Sequence, residues 1–271
     1  MRKSNAAWIG FTPKDEFFWE NLEELANLGF KAYEPGEAFF SKDSETETDE
    51  NIKRLWDLNL KALTVSVNRD DLSDEALSDV INKAHKINVD RATIWCGWVN
   101  SRMWDQIPQY DDYMKELERY ETAGSKLNKE GIKLTYHNHS QEYTEVFKGV
   151  QAYNYMLSNT ENVHFLLDVC WAHIGGANPV EVMRRIGDRL TCIHLKDYVP
   201  GYPMADIDPG RPRPTFTAVG TGVVDIKGVM KCAMEMELPY ISIEQDQMRN
   251  LDCMSALNLS YLYLKEIDCV N

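Results

Sequence analysis

Residues 131–142 read Gly-Ile-Lys-Leu-Thr-Tyr-His-Asn-His-Ser-Gln-Glu, an apolar strand that runs directly into a cluster of ionisable side chains. Side chains alternate between the two faces of a strand, so His137 and His139 are predicted to point the same way. Glu142 follows in what we predict to be a loop. Functional side chains are often carried on loops held by a rigid scaffold, and this pattern fits that arrangement. The alternative is a pair of histidines that bind backbone groups beside an exposed glutamate.

The composition is that of an ordinary globular protein, with 271 residues, 44% hydrophobic and 27% charged. A formal net charge of -14 disfavours nucleic acid and anionic membranes as partners, because phosphates require clustered Lys and Arg. No apolar run reaches the ~20 residues of a membrane helix, and the first residues, Met-Arg-Lys-Ser-Asn-Ala-Ala-Trp, lack the apolar core of a signal peptide. Six scattered cysteines without a Cys-x-x-Cys pair predict reduced thiols and a cytoplasmic location.

Strand and helix patterns alternate along the whole chain. The predicted strands are 7–12, 31–34, 62–68, 91–98, one beginning at 131, 163–169, 190–198 and 240–246. The predicted helices are 14–28, 51–60, 73–87, 110–130, 149–158, 179–186, 225–236 and 251–266. No change in composition marks a linker, so we predict a single domain over residues 1–271.

Repeated βα units of this length predict an α/β fold with a parallel sheet. Eight of them within ~250 residues fit a single closed (β/α)8 TIM barrel. A doubly wound open sheet is the alternative. Against it, the chain has no Gly-x-Gly-x-x-Gly after the first strand and no Gly-x-x-x-x-Gly-Lys-Ser/Thr motif.

Polar side chains recur at the predicted carboxyl ends of the strands, where a barrel of this kind builds its active site. They are Glu34, His137, His139, Glu142, Asp168, His194, Lys196 and Glu244. Alternation places His194 and Lys196 on one face of their strand and the apolar Ile193 and Leu195 on the other. Each residue alone has a plainer interpretation: a carboxylate at a strand end commonly caps a helix, and Lys196-Asp197 fits a surface ion pair.

Taken together, three carboxylates and one imidazole from different strand ends predict a metal site with oxygen and nitrogen ligands. That donor set favours one Mn²⁺ or Mg²⁺ ion, with Co²⁺ or Zn²⁺ as alternatives. None of the six cysteines belongs to the set, which weighs against a structural zinc site.

The chain resembles the xylose-isomerase-like TIM-barrel superfamily, and within it the sugar phosphate isomerase/epimerase family (AP endonuclease family 2-like). The superfamily also contains ketose 3-epimerases, inosose dehydratases and endonuclease IV. The resemblance covers nearly the whole chain. It is carried by Tyr-His-Asn-His at 136–139 with Glu142, Leu-Leu-Asp at 166–168 followed by Gly-Gly-Ala-Asn-Pro-Val-Glu at 175–181, Gly-Asp-Arg at 187–189 followed by His-Leu-Lys-Asp at 194–197, Val-Gly-Thr-Gly at 219–222 and Ile-Glu-Gln-Asp at 243–246.

The resemblance implies roles for particular residues. A divalent metal would be held by Glu142, Asp168, His194 and Glu244, and the two glutamates would serve as the catalytic acid/base pair. Apart from the resemblance, we predict that His137, His139 and Lys196 hydrogen-bond substrate hydroxyls, that Trp98 or Trp171 offers an aromatic face to a sugar ring, and that Glu34 also binds substrate. The chain departs from the ketose epimerases in two places: they carry their glutamate at the end of strand five itself, and they commonly have a substrate-binding histidine where Trp171 stands.

From this we expect a metal-dependent isomerase or epimerase that acts on a sugar, keto-sugar or sugar phosphate. Abstraction of a proton next to a carbonyl would give an enediolate. A metal-dependent lyase or dehydratase of a keto-sugar or inosose is the main alternative. An endonuclease-like phosphodiesterase is a weaker alternative, because it would require more histidines and a basic surface. A barrel that binds a sugar without catalysing a reaction is a further alternative. The expected partner is a small carbohydrate; barrels of this type often pair, which leaves a homodimer open.

Overall fold

A computed structural model describes residues 2–10, 15–41, 44–99, 109–144, 146–200, 205–206, 212–245 and 251–271. The chain divides into two compact units. Unit 1 comprises Met1–Glu34, Ser41–Lys61 and Cys192–Asn271, and unit 2 comprises Pro35–Phe40 and Ala62–Thr191. None of the helices in the described ranges combines the length and the hydropathy that a membrane span requires.

Short strands and helices alternate through these ranges. The strands are β1 Asn5–Ile9, β2 Ala32–Tyr33, β3 Lys61–Ala62, β4 Val65–Ser66, β5 Arg91–Ile94, β6 Lys133–His137, β7 Val146–Phe147, β8 Val150–Gln151, β9 Val163–Asp168, β10 Leu190–Leu195, β11 Asp197–Val199, β12 Ala205–Asp206, β13 Pro212–Arg213, β14 Thr215–Thr217 and β15 Tyr240–Glu244. The α-helices are α1 Phe18–Leu28, α2 Glu45–Asp57, α3 Asp74–Lys86, α4 Tyr110–Lys129, α5 Gln141–Thr144, α6 Ala152–Asn159, α7 Val169–Ile174, α8 Pro179–Ile186, α9 Ile226–Glu235 and α10 Cys253–Glu266.

Unit 1 is built on parallel strands in the order β2, β1, β15, β10. Trp8 of β1 pairs with Tyr33, Ile9 pairs with Glu244, and His194 of β10 pairs with Ser242. Helix α1 packs against α10 and buries its apolar face, in keeping with its 3.6-residue periodicity. Because neighbouring parallel strands end at the same edge of a sheet, the register brings the carboxyl ends of β2, β10 and β15 together.

Unit 2 is built on parallel strands in the order β4, β5, β6, β9. Ile94 pairs with Tyr136, and the last pair between β6 and β9 is His137 with Leu166. The long helix α4 packs on β6 and buries one face rich in tyrosine and leucine. The β6 and β9 ends therefore lie side by side, with His137 and Asp168 as their last residues.

Several predicted boundaries are wrong. The strand predicted over 62–68 is two short strands, β3 and β4, because the Thr64 hydroxyl lies between them and bonds the carbonyl of Arg91 at 3.3 Å and the hydroxyl of Thr93 at 2.7 Å. The strand predicted over 91–98 ends at Ile94. The first and last predicted strands extend to residues 12 and 246, which lie outside the described ranges.

Three segments that the sequence predicts as loop or helix have a different structure. The residues after β6 form the single turn α5, which contains Glu142. The residues after β9 form α7, which begins because the Asp168 carboxylate accepts a hydrogen bond from the Trp171 amide at 2.8 Å. The helix predicted from residue 149 begins only at Ala152, because Lys148 and Gly149 (φ of 50° and 83°) close the hairpin β7–β8 before it.

Candidate functional site

Unit 1 brings together four of the predicted site residues in a cluster that is buried except at Glu244, which is partly exposed. Glu34 follows β2, His194 lies on β10, Lys196 follows it, and Glu244 ends β15. Nε2 of His194 lies 2.7 Å from Oε2 of Glu34, and Nδ1 lies 2.9 Å from Oε2 of Glu244. Nζ of Lys196 is 2.9 Å from the same Glu244 oxygen. The prediction that His194 and Lys196 share a face with a strand-end carboxylate therefore matches their positions in unit 1.

His194 carries a proton on each ring nitrogen in this arrangement, because ionised carboxylates only accept hydrogen bonds. Complete burial by itself would lower the pKa of His194. The negative charge of Glu34 and the hydrogen bonds to Glu244 and Glu34 outweigh burial and raise the pKa of His194 to about 9. In the metal-free protein His194 is therefore an imidazolium at neutral pH, and it would release one ring proton on binding a metal ion.

Lys196 is fully buried, which is rare for lysine unless its charge is paired. Its partner is Glu244, and its ammonium also lies 5.1 Å from the ring centre of Phe216. Two carboxylates, one imidazolium and one ammonium leave the cluster with no net charge, which offsets the cost of burying Glu34, His194 and Lys196 completely and Glu244 in part.

Unit 2 brings together His137, His139, Asp168 and Trp171. Nδ1 of His137 lies 3.2 Å from the carbonyl oxygen of Trp95, so this nitrogen is the donor. That hydrogen bond fixes the tautomer and directs the lone pair of Nε2 away from it, an arrangement typical of metal-binding histidines. Nε2 lies 3.8 Å from Oδ2 of Asp168, and both side chains are buried.

The aromatic rings of unit 2 form a continuous row beside this pair. The centroids of Trp95 and His137 are 6.0 Å apart, those of His137 and His139 5.0 Å, and those of His139 and Trp171 5.5 Å. Rings of this kind offer apolar faces and polar edges to a ligand. Of the predicted substrate-binding residues, His139 thus lies next to both His137 and Trp171.

Glu142 is completely buried in α5 and accepts two hydrogen bonds. The Tyr136 hydroxyl donates to Oε1 at 2.7 Å, and the His139 amide donates to Oε2 at 2.9 Å. Burial raises the pKa of Glu142, partly offset by these hydrogen bonds. Each carboxylate oxygen has a second lone pair, so these hydrogen bonds do not decide between the predicted metal and acid/base roles, and both stay predictions.

Asp197 is a further residue of interest, and the alternative of a surface ion pair with Lys196 is wrong because both side chains are fully buried. Its carboxylate accepts four backbone N–H groups, at 2.8–3.1 Å, from Tyr198, Gly220, Gly222 and Val224. A β-carbon at position 222 would overlap Oδ1 of Asp197, which explains the glycine. Asp197, the residue after Lys196, therefore anchors the 218–224 loop through hydrogen bonds to its backbone.

The sequence analysis assigned no function to Asn138. This residue is buried and lies in the sequence between His137, the last residue of β6, and His139. Its side chain bonds the backbone of Asp168. For Asn138, the sequence signal was a polar residue on the strand face opposite to His137 and His139. For Asp197, the signal was the Gly-Thr-Gly sequence at 220–222.

Unit 1 offers His194 and Glu244 as potential metal ligands, and unit 2 offers His137 and Asp168. Two ligand atoms about 2.1 Å from one ion lie about 3.0 Å apart at a right angle and at most about 4.2 Å apart. The separation of 2.9 Å between His194 and Glu244 in unit 1 fits this range. So does the separation of 3.8 Å between His137 and Asp168 in unit 2.

The chain belongs to the xylose isomerase-like TIM barrel family, whose model matches residues 22–258. The predicted fold class and the family resemblance are thereby confirmed. The fold is also that of a sugar phosphate isomerase/epimerase from Parabacteroides distasonis ATCC 8503, with a TM-score of 0.78 and 19% identity over 100% of this chain and 99% of that one.

Two dehydratases are also similar. An inosose dehydratase of Geobacillus kaustophilus (strain HTA426) is 26% identical over 248 aligned positions, and the alignment covers 83% of this chain and 79% of that protein. The fold of a probable 3-DHS dehydratase, AsbF, involved in petrobactin synthesis in Bacillus anthracis has a TM-score of 0.74 with 12% identity and covers 96% of this chain and 98% of that one. Isomerase/epimerase and dehydratase names thus both occur among the similar proteins.

Proposed function

We propose that the protein is a divalent-metal-dependent isomerase or epimerase that acts on a sugar, keto-sugar or sugar phosphate. The observation that carries this proposal is the Glu244 carboxylate, a half-buried base at a strand end that contacts both His194 and Lys196. We propose Asp168, His194, Glu244 and Glu142 as the metal ligands, with His137 as the alternative to Glu142. The ion is proposed to be Mn²⁺ or Mg²⁺. When bound, it would polarise the substrate carbonyl and stabilise negative charge on the oxygen.

The side chains can divide the proton transfers between them. An ionised Glu244 removes the proton next to the carbonyl, and the neighbouring ammonium of Lys196 keeps this carboxylate charged. Glu142, whose burial raises its pKa and favours the protonated acid, returns a proton to the enediolate.

Substrate binding is assigned to the remaining residues. Glu34, Lys196 and the ring nitrogens of His137 and His139 offer donors and acceptors for hydroxyl groups. The row of rings that ends at Trp171 would pack against the C–H face of a sugar.

A lyase or dehydratase is the second candidate, favoured by the similarity to inosose dehydratase. It requires the same first proton transfer. The acid then protonates a β-hydroxyl, which leaves as water, in place of returning the proton to carbon.

The test is to incubate the Mn²⁺-loaded protein in D₂O with ketoses, 3-keto sugars and inososes. An isomerase or epimerase incorporates one deuterium at the α-carbon without other change in mass, as followed by NMR and mass spectrometry. A dehydratase gives a product lighter by one water. Glu244→Gln should abolish either reaction, and Glu75→Gln, an exposed residue of α3, should leave it unchanged. Exchange at the wild-type rate in Glu244→Gln would refute the assigned base.

A further inference from the structure

Asn138 makes a reciprocal pair of hydrogen bonds with the backbone of Asp168. The Asp168 amide donates to Oδ1 of Asn138 at 3.0 Å, and Nδ2 of Asn138 donates to the Asp168 carbonyl at 3.2 Å. Asn138 is fully buried. A side-chain amide has the same donor and acceptor as a peptide group, so one side chain satisfies both polar groups of a buried residue.

The position of this pair explains why a side chain is needed. Backbone pairing between β6 and β9 ends with His137 and Leu166, two residues before Asp168. Beyond that point β6 turns into α5, and its peptide groups no longer follow β9. The Asn138 side chain thus supplies hydrogen bonds beyond the last backbone pair and connects the end of β9 to the end of β6.

The Asp168 side chain is restrained from a second direction. Its Oδ1 accepts the Trp171 amide at 2.8 Å as the N-cap of α7. The backbone is held by Asn138 and Oδ1 by the cap, and in this orientation Oδ2 lies 3.8 Å from Nε2 of His137. Asn138 therefore fixes the position of the Asp168 backbone and, through the backbone, the orientation of the Asp168 carboxylate.

We propose that Asn138 is a positioning residue that fixes the peptide of Asp168 so that its carboxylate faces His137. It touches neither the metal nor the substrate and acts through Asp168. Its consequence for metal binding rests on the proposed function, whereas its hold on the Asp168 peptide does not. Loss of a residue that orients a metal ligand commonly weakens metal binding by about 10–100-fold.

Two measurements test this on the full-length protein. The first is amide hydrogen exchange at Asp168 in the metal-free protein, followed by NMR. The second is the affinity for Mn²⁺ alone, followed by electron paramagnetic resonance. Asn138→Ala removes both hydrogen bonds, so exchange at Asp168 should accelerate at least about tenfold and Mn²⁺ affinity should fall about 10–100-fold. Asn138→Asp keeps the acceptor for the Asp168 amide and loses the donor to its carbonyl, so exchange at Asp168 should accelerate less than in Asn138→Ala while Mn²⁺ affinity still falls; it is the test variant if Asn138→Ala does not fold.

The matched control is Asn178→Ala. Asn178 caps α8 through the amides of Val180 and Glu181, so its loss should accelerate exchange at the start of α8 and leave both Asp168 and Mn²⁺ affinity unchanged. Unchanged exchange at Asp168 in Asn138→Ala would overturn the proposal. So would accelerated exchange with undiminished Mn²⁺ affinity. If the wild-type protein binds no divalent ion, the proposed metal dependence fails, and exchange at Asp168 alone decides the role of Asn138.

Discussion

Nε2 of His194 and Oε2 of Glu34 lie 2.7 Å apart with neither side chain exposed, although the residues are 160 positions apart in the chain. The second ring nitrogen of His194 faces Glu244. A histidine enclosed by two carboxylates holds its proton more tightly in the folded protein than in the unfolded chain. Proton binding and folding are therefore linked at this residue.

We predict that the metal-free protein loses stability as the pH rises from about 6.5 to about 9. The pKa of His194 is raised from its ordinary 6.5 to about 9, so the stabilisation is complete below the lower value and is lost through the upper one. Urea unfolding at several pH values measures the free energy of unfolding. Nitrogen-15 NMR should show both ring nitrogens of His194 protonated at pH 7.

Glu34→Gln is the control for this pH dependence. It removes the largest favourable charge on His194, so the pKa of His194 should fall and the stability profile should flatten between the same pH limits. A neutral His194 at pH 7 in the metal-free wild-type protein would contradict the prediction.

We predict that the protein binds one divalent ion and that Asp168→Asn and Glu244→Gln each weaken binding by at least about tenfold. Each change removes a charged oxygen ligand and leaves the side-chain shape nearly intact. Elemental analysis after dialysis gives the stoichiometry, and titration with Mn²⁺ gives the affinity. Glu75→Gln, which is exposed on α3, should bind the ion as the wild type does. Full occupancy in both site variants would show that the ligands are wrongly assigned.

A comparison of two variants decides whether Glu142 or His137 is the fourth metal ligand. If Glu142 is the fourth ligand, Glu142→Gln should lower Mn²⁺ affinity and His137→Gln should leave it nearly unchanged. The opposite result assigns the ligand to His137, whose tautomer is set by the Trp95 carbonyl, and leaves Glu142 to hold the His139 amide. Deuterium exchange at the substrate carbon, measured on the same two variants, assigns the acid/base role separately.

We predict that Asp197→Ala lowers the free energy of unfolding by about 3 kcal/mol or more. The change leaves four backbone N–H groups without their charged acceptor, and each such hydrogen bond is worth about 1.5–3 kcal/mol, although the values do not add. Urea unfolding measures the loss. Asp197→Asn, which keeps one acceptor oxygen, should lose less. Asp252→Ala, which removes an exposed N-cap of α10, should lose less than Asp197→Ala. Equal losses in Asp197→Ala and Asp252→Ala would contradict the anchoring role.

We predict that residues 1–271 unfold as a single domain, since no linker composition interrupts the chain. Hydrogen exchange with mass spectrometry across a urea series should show β15 in unit 1 and β6 in unit 2 losing protection at the same urea concentration. Two separate transitions would show that the units fold independently.

Much of the scaffold was predictable from the sequence. The alternating patterns gave the order of strands and helices, because a strand or helix displays its buried face at a fixed local period. The same period placed His194 and Lys196 on one face, and both proved to lie against Glu244. Boundaries were less accurate where a side chain competed with the backbone, as Thr64 does between β3 and β4.

The sequence by itself determined which polar side chains stand at the strand ends. Only the tertiary structure decided what each of them contacts. Glu142 was predicted as a loop ligand, yet its oxygens are held by Tyr136 and the His139 amide, because the chain turns into α5 at that point. Asn138 meets Asp168 from thirty residues away, and Glu34 meets His194 across two different strands. Periodicity fixes the direction of a side chain from its neighbours, whereas a hydrogen-bond partner depends on the path of a distant segment, which no local pattern encodes.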